Sequence, residues 1–167
     1  MDPLFSSLFN KPISYQNLVF KGGGIRGIAY LGALEILEEH GILPGIERVA
    51  GTSAGAISAL LVSLRLSVTE ILELFSTLDF RKIPQAVTRN KKLSIPIRIP
   101  LPLDPLTEEE KITRLIKNYG LYSSLYFYQW LHSVIAGHCN GNAEATFEDF
   151  HNQGFRDLYI VVANLTK

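Results

Sequence analysis

The sequence has one cysteine, one methionine, one tryptophan and no excess of charge of either sign, and each of these scarcities excludes something. Cys139 alone rules out an intrachain disulfide framework and any multi-cysteine metal site. Nothing beside it in AGHCNG would activate a thiolate, so it reads as a packed thiol. Lysine plus arginine and aspartate plus glutamate number 16 each, and without a dense basic run nucleic acid is not indicated as a partner. No stretch approaches the ~18 apolar residues of a membrane span. The N-terminus carries an acid at Asp2 and lacks the apolar core and small-residue cleavage site of a signal peptide. The expectation is a soluble chain, cytoplasmic or at a membrane periphery, with export by a non-classical route left open.

Hydrophobic residues make up 47% and charged residues 19%, which suits an ordered globular chain, and 167 residues suit one domain with a substantial core. Residues 1–16 read as an N-terminal extension and 17–167 as the domain. NLVF (17–20) is a short apolar run of buried-strand type. From Gly27, Ile28, Leu31, Leu34 and Leu37 recur at helical spacing, with Ile36, and Gly41 is the expected stop. IERVAG (46–51) is a second strand candidate and SAGAISALLVSLRL (53–66) a helix of small and apolar residues. Strand, loop, helix, strand, turn and helix in that order predict an α/β fold, a mostly parallel central sheet flanked by helices.

Thr69 opens a capped helix in TEILELFSTL. The segment 81–106 then holds five of the eight prolines and several cations, so it reads as a long surface excursion. Thr107 and Glu110 make a capping box, with Gly120 as the stop. A helix over 123–137 follows, with Tyr126, Phe127 and Trp130 expected in the core. A short helical turn opens at Thr146, and DLYIVVANLT (157–166) reads as a core-type strand.

Two glycine motifs carry the chemistry. Gly22, Gly24 and Gly27 fit G-x-G-x-x-G between a strand and a helix. Residues 51–55, GTSAG, fit G-x-S-x-G: Gly51, Thr52, Ser53, Ala54 and Gly55 form a nucleophile elbow, with Ser53 at a sharp strand-to-helix turn. Either motif alone arises by chance in roughly one chain in twenty of this length; together, each at a strand-to-helix junction, they are far more specific. A dinucleotide loop requires an acid at the end of the second strand, and Glu47 precedes that strand. A phosphate loop of the Gly-Lys-Ser/Thr type is absent. The remaining reading of the first loop is an oxyanion hole, whose preset N–H donors receive negative charge developing on a carbonyl oxygen. Both loops follow parallel strands and emerge at the same carboxyl edge.

With GGGIRGIAYLGAL at 22–34, GTSAG at 51–55, and weaker likenesses in GLYSS (120–124) and TFEDF with DLYIVVANLT (146–166), the chain resembles the patatin-like phospholipases and acyl hydrolases. The resemblance implies a three-layer α/β architecture, incomplete at the C-terminus, and cleavage of phospholipid or other acyl-lipid esters with no metal and no organic cofactor. It assigns Ser53 as nucleophile and Gly22, Gly23, Gly24 and Arg26 to the oxyanion hole. It also implies an aspartate in a D-G-[GA] motif as the base, and here the sequence departs. None of Asp2, Asp79, Asp104, Asp149 and Asp157 is followed by glycine. Asp157 begins its strand, away from the site edge, and Asp149 suits the first turn of a short helix. His40, His132, His138 and His151 read as surface or packing residues.

The chain alone is therefore expected to be inactive or nearly so, with the base missing because the chain continues in nature, because a second chain or activator supplies it, or because the activity has been lost. In the last case it would be a catalytically silent lipid-binding or protein-interaction module. An α/β-hydrolase esterase using a histidine, or a nucleotide-binding domain, are further alternatives. The apolar, proline-rich stretch 93–106, with Arg89, Lys91, Lys92 and Arg98 nearby, reads either as a lipid-contacting surface or as a solvated loop.

Overall fold

A computed structural model describes residues 14–79 and 124–164, together with Lys82, Thr107, Glu109, Ile112, Thr113 and Ile116. The chain divides into two compact units, one formed by Met1–Glu73 with Ala145–Lys167 and the other by Leu74–Glu144.

The first unit is built on three parallel strands in the order β1 (Asn17–Phe20), β2 (Arg48–Thr52), β3 (Asp157–Val161). Asn17 pairs with Arg48 and Arg48 with Asp157, so the strand starts are level and the carboxyl ends of β1 and β2 open together. Between them lie a 3-10 turn, Gly24–Ala29, and helix α1, Tyr30–Glu39. The first turn of the expected helix is thus 3-10, and Gly41 closes the end with φ +66°.

Helix α2, Ala54–Ser63, follows β2 and touches all three strands. Seven of its ten residues are buried, as suits a helix apolar on every side. It ends earlier than the expected 66 because Arg65 turns to φ +59° and sends its Nε–H to the Gly154 carbonyl at 2.8 Å. The period-2 geometry of the strands places Phe20, Val49 and Gly51 on the α2 side, where all three are buried. Val19, Tyr159 and Val161 occupy the opposite side and are 73%, 53% and 65% exposed.

Helix α3, Val68–Thr77, is capped by Ser67 instead of the expected Thr69. The Ser67 Oγ accepts from the Glu70 N–H at 3.3 Å, while Glu70 Oε2 accepts from the Ser67 N–H at 2.8 Å, a capping box. β3 ends at Val161, short of the expected strand over 157–166, because its partner β2 leaves the sheet at Ser53; Val161 pairs with Thr52 and among the described residues no ladder remains beyond it.

Arg156, just before β3, is 95% buried and ties the unit together. Its guanidinium donates to the carbonyls of Ile46 at 2.9 Å, Val62 at 2.7 Å and Leu43 at 2.9 Å, and its N–H donates to Ser63 O at 2.9 Å. A cation at the C-terminal end of α2 also suits the helix dipole. Burial, then the nearby Arg65 charge, lowers its pKa from the ordinary arginine value. Helix α5, Phe147–Asn152, opens at Thr146 as expected, with Thr146 and Asp149 in a capping box.

In the second unit, helix α4, Leu125–His138, matches the expected helix within two residues. Of its three aromatics expected in the core, Trp130 is buried, while Tyr126 and Phe127 are half-buried. Trp130 Nε1–H donates to Thr77 Oγ1 at 2.9 Å, and the Tyr126 hydroxyl accepts from the Asp79 N–H at 2.9 Å. Hydroxyl bonding at the rim accounts for the intermediate position of Tyr126. Apart from Lys82, the excursion at 81–106 lies outside the described residues, as do Glu110 and Gly120, the second half and stop of the Thr107 capping box, and residues 120–123 of GLYSS.

Candidate active site

The elbow forms where β2 runs into α2. Ser53 is exposed and has φ 53° and ψ −130°, a positive φ that non-glycine residues seldom adopt. Holding it costs about 1–3 kcal/mol, met by the packing on either side. That packing explains the flanking glycines. A Cβ on Gly51 would collide with the Gly55 carbonyl, and one on Gly55 would collide with the Phe20 carbonyl and meet the Lys21 oxygen at 2.7 Å. The elbow therefore lies against the end of β1, where the glycine loop begins.

The two motifs, about thirty residues apart in sequence, touch here. A Cβ on Gly22 would come within 3.1 Å of Ser53 Cβ and 3.2 Å of the Thr52 oxygen, and one on Gly27 within 3.3 Å of Ala54 Cβ. Gly24 sits at φ +57°, and Arg26 N–H closes the loop onto Gly23 O at 3.2 Å. Tyr30 braces it from α1: its hydroxyl donates to Lys21 O at 2.7 Å, and its ring meets Phe20 edge-on with centroids 5.1 Å apart. In the first turn of α2 the Ala56 N–H donates to Ser53 O at 2.9 Å, and the positive end of the helix dipole lies beside Ser53. The arrangement presents an exposed hydroxyl between a loop of backbone amides and a helix N-terminus, chemistry suited to a carbonyl oxygen that gains negative charge. Arg26 is exposed on the same loop.

Among the described residues the possible bases lie elsewhere. Asp157 begins β3 opposite Arg48, while Ser53 follows Thr52, which pairs with Val161; four strand residues, about 13 Å, separate the two levels. Asp157 Oδ1 instead meets His151 Nδ1 at 2.9 Å. Asp149 accepts from the Thr146 N–H and hydroxyl at 2.8 Å each, and these bonds lower its pKa from 3.8. His132 Nε2 lies 3.5 Å from Glu144 Oε1 with its ring on Tyr128, His138 Nδ1 lies 2.7 Å from Val134 O, and His40 caps the end of α1. Among the described residues no histidine or carboxylate hydrogen-bonds Ser53 Oγ. Arg89, Lys91, Lys92 and Arg98 lie outside the described residues. Among those described, no group of three or more His, Cys, Asp or Glu could hold a metal ion, and no helix is long and apolar enough to cross a membrane.

Sequence reasoning missed the Tyr30 brace, the Ser67 cap and Arg156. The Ser67 cap was written as S-x-x-E at 67–70. Tyr30 and Arg156 carry no local signal, since each acts on backbone carbonyls that only the fold brings near.

A family model described as patatin-like phospholipase matches residues 18–164. An uncharacterized Bacillus subtilis (strain 168) protein, YqhO, is 46% identical over 69 residues, 41% of this chain and 23% of that protein. A crystal structure of the type III effector protein ExoU is similar with a TM-score of 0.48 and 22% identity, over 89% of this chain and 33% of the effector. The matched regions are thus well under half of either protein's length.

Proposed function

The chain belongs to the patatin-like phospholipase family, and from that premise we propose that Ser53 is the nucleophile of a serine acyl hydrolase acting on phospholipid or other acyl-lipid esters. Ser53 Oγ attacks the ester carbonyl carbon and gives up its proton to a base. The carbonyl oxygen becomes an oxyanion held by the amides around Gly23 and Gly24, within the loop that starts at Gly22 and carries Arg26. Collapse of the tetrahedral intermediate breaks the ester C–O bond and releases the alcohol, and water then hydrolyses the acyl-serine. The observation that supports this most is the contact of Gly22 with Ser53, which brings amide donors and hydroxyl to one substrate carbonyl. Losing one oxyanion donor typically costs about 3 kcal/mol of transition-state stabilisation.

The base comes from outside these 167 residues, either from further polypeptide carrying Asp-Gly-Gly or Asp-Gly-Ala or from a second chain. A serine without its base is a weak nucleophile at neutral pH, so the chain alone is silent or nearly so. The expected result is no ester hydrolysis by the purified chain, hydrolysis once a segment carrying that motif is joined or added, and none with Ser53→Ala. Hydrolysis that survives Ser53→Ala would overturn the nucleophile; robust Ser53-dependent hydrolysis by the chain alone would overturn the external base. A silent lipid-binding or protein-interaction module is the second reading, favoured by the lack of a described base at Ser53 Oγ; persistent inactivity in every extended form would select it.

A further inference from the structure

The turn Gly24–Ala29 is 3-10, and its repeat of three stacks residues i and i+3 on one side. One side carries Gly24 and Gly27, and Gly27 packs on Ala54 at the start of α2. A second side carries Ile25 and Ile28, which are 67% and 51% exposed. The third carries Arg26, and Lys21 stands just upstream; both are exposed, and neither is in an ion pair among the described residues. No acid occurs from Gln16 to Leu34. Two apolar side chains and two cations therefore stand exposed on the loop whose Gly22 meets Ser53.

This pairing sets the turn apart from the other exposed apolar residues on the described helices of the first unit. Ile36 lies between Glu35 and Glu38, Leu72 between Glu70 and Glu73, and Phe147 beside Glu148. Acids there repel an anionic surface, whereas cations beside Ile25 and Ile28 attract one. The geometry points to the Lys21–Ile28 edge as a docking surface for a bilayer of anionic phospholipid. Ile25 and Ile28 enter the headgroup boundary while Lys21 and Arg26 meet lipid phosphates, combining apolar burial with charge attraction. The inference rests on the reading of Ser53 as a lipid-ester nucleophile, which gives the adjoining edge its use: a docked bilayer presents ester carbonyls to the elbow.

The test is flotation of the chain with two sets of vesicles, phosphatidylcholine alone and phosphatidylcholine mixed with phosphatidylglycerol in about equal parts. The chain is expected to float with the mixed vesicles and not with the neutral ones, and to be released by high salt. Ile25→Asp with Ile28→Asp should lower the partition constant by about tenfold or more, and Lys21→Gln by about fivefold, with the thermal midpoint unchanged because all three positions are exposed. Failure to bind the mixed vesicles, equal binding to both sets, or unaltered binding by the double aspartate variant would each overturn the proposal. Fluorophosphonate labelling of Ser53 in the extended, base-containing polypeptide without vesicles is a separate readout. Its failure would tell against the nucleophile, whereas vesicle binding lost in the double variant would still locate the docking edge.

Discussion

Ser53 can keep a positive φ because its neighbours have no side chains to obstruct the two backbones. The same geometry separates glycines that are required from glycines that are merely present. Gly55→Ala would drive a Cβ into the Phe20 and Lys21 carbonyls and should destabilise the chain by about 2–3 kcal/mol in urea unfolding, displacing the start of α2 with it. Gly32, exposed in α1 with nothing within 4 Å of its added Cβ, should behave in the opposite way. Gly32→Ala is expected to stabilise by about 0.5–1 kcal/mol. The required glycines were legible in the sequence because a steric demand for no side chain leaves a fixed spacing of residues. Tyr30 was not, because a hydroxyl reaching a carbonyl nine residues back leaves no pattern.

At the scale of elements, the ends of helices decide more than their middles. Arg156 joins α2, the 3-10 turn Leu43–Gly45 and the approach to β2, and removing it leaves the buried Ile46 carbonyl without its donor. Arg156→Met should cost about 3 kcal/mol in unfolding free energy, with Arg156→Lys intermediate, because an ammonium lacks the planar fork that reaches three carbonyls. The cap of α5 gives a pH dependence of known sign. The folded-state pKa of Asp149 is lowered by its bonds to Thr146, so its contribution is present above the ordinary value of 3.8 and is lost as pH falls through the folded pKa. Thermal melts in acid should therefore show a loss in the natural chain that Asp149→Asn lacks over that interval. The Thr146 box was legible as a local rule, and the Ser67 box was equally local although Thr69 competed for the role. Arg156 was not legible, because its acceptors lie 94 to 113 residues away.

For the first unit as a whole, the described sheet is covered on one face by α2 and carries Val19, Tyr159 and Val161 exposed on the other. An open parallel sheet with an apolar face, whose outer strands β1 and β3 pair with no further strand among the described residues, is prone to associate. Sedimentation velocity is expected to show concentration-dependent self-association of the chain, reduced by Val19→Thr with Val161→Thr. The folding free energy should change by less than about 0.5 kcal/mol, since both positions are exposed. A monomer at all concentrations would count against this.

The sequence by itself determined the alternation of strands and helices, the parallel sheet and the two glycine motifs, because periodicity and steric need for glycine act between residues close in the chain. Only the tertiary structure decided that the motifs meet, with Gly22 against Ser53, and that Asp157 is engaged by His151. It also decided that Arg156 holds the C-terminal end of the elbow helix. Those outcomes depend on strand register and on contacts between distant backbone groups, and register is fixed only when the strands pair and α2 settles across them.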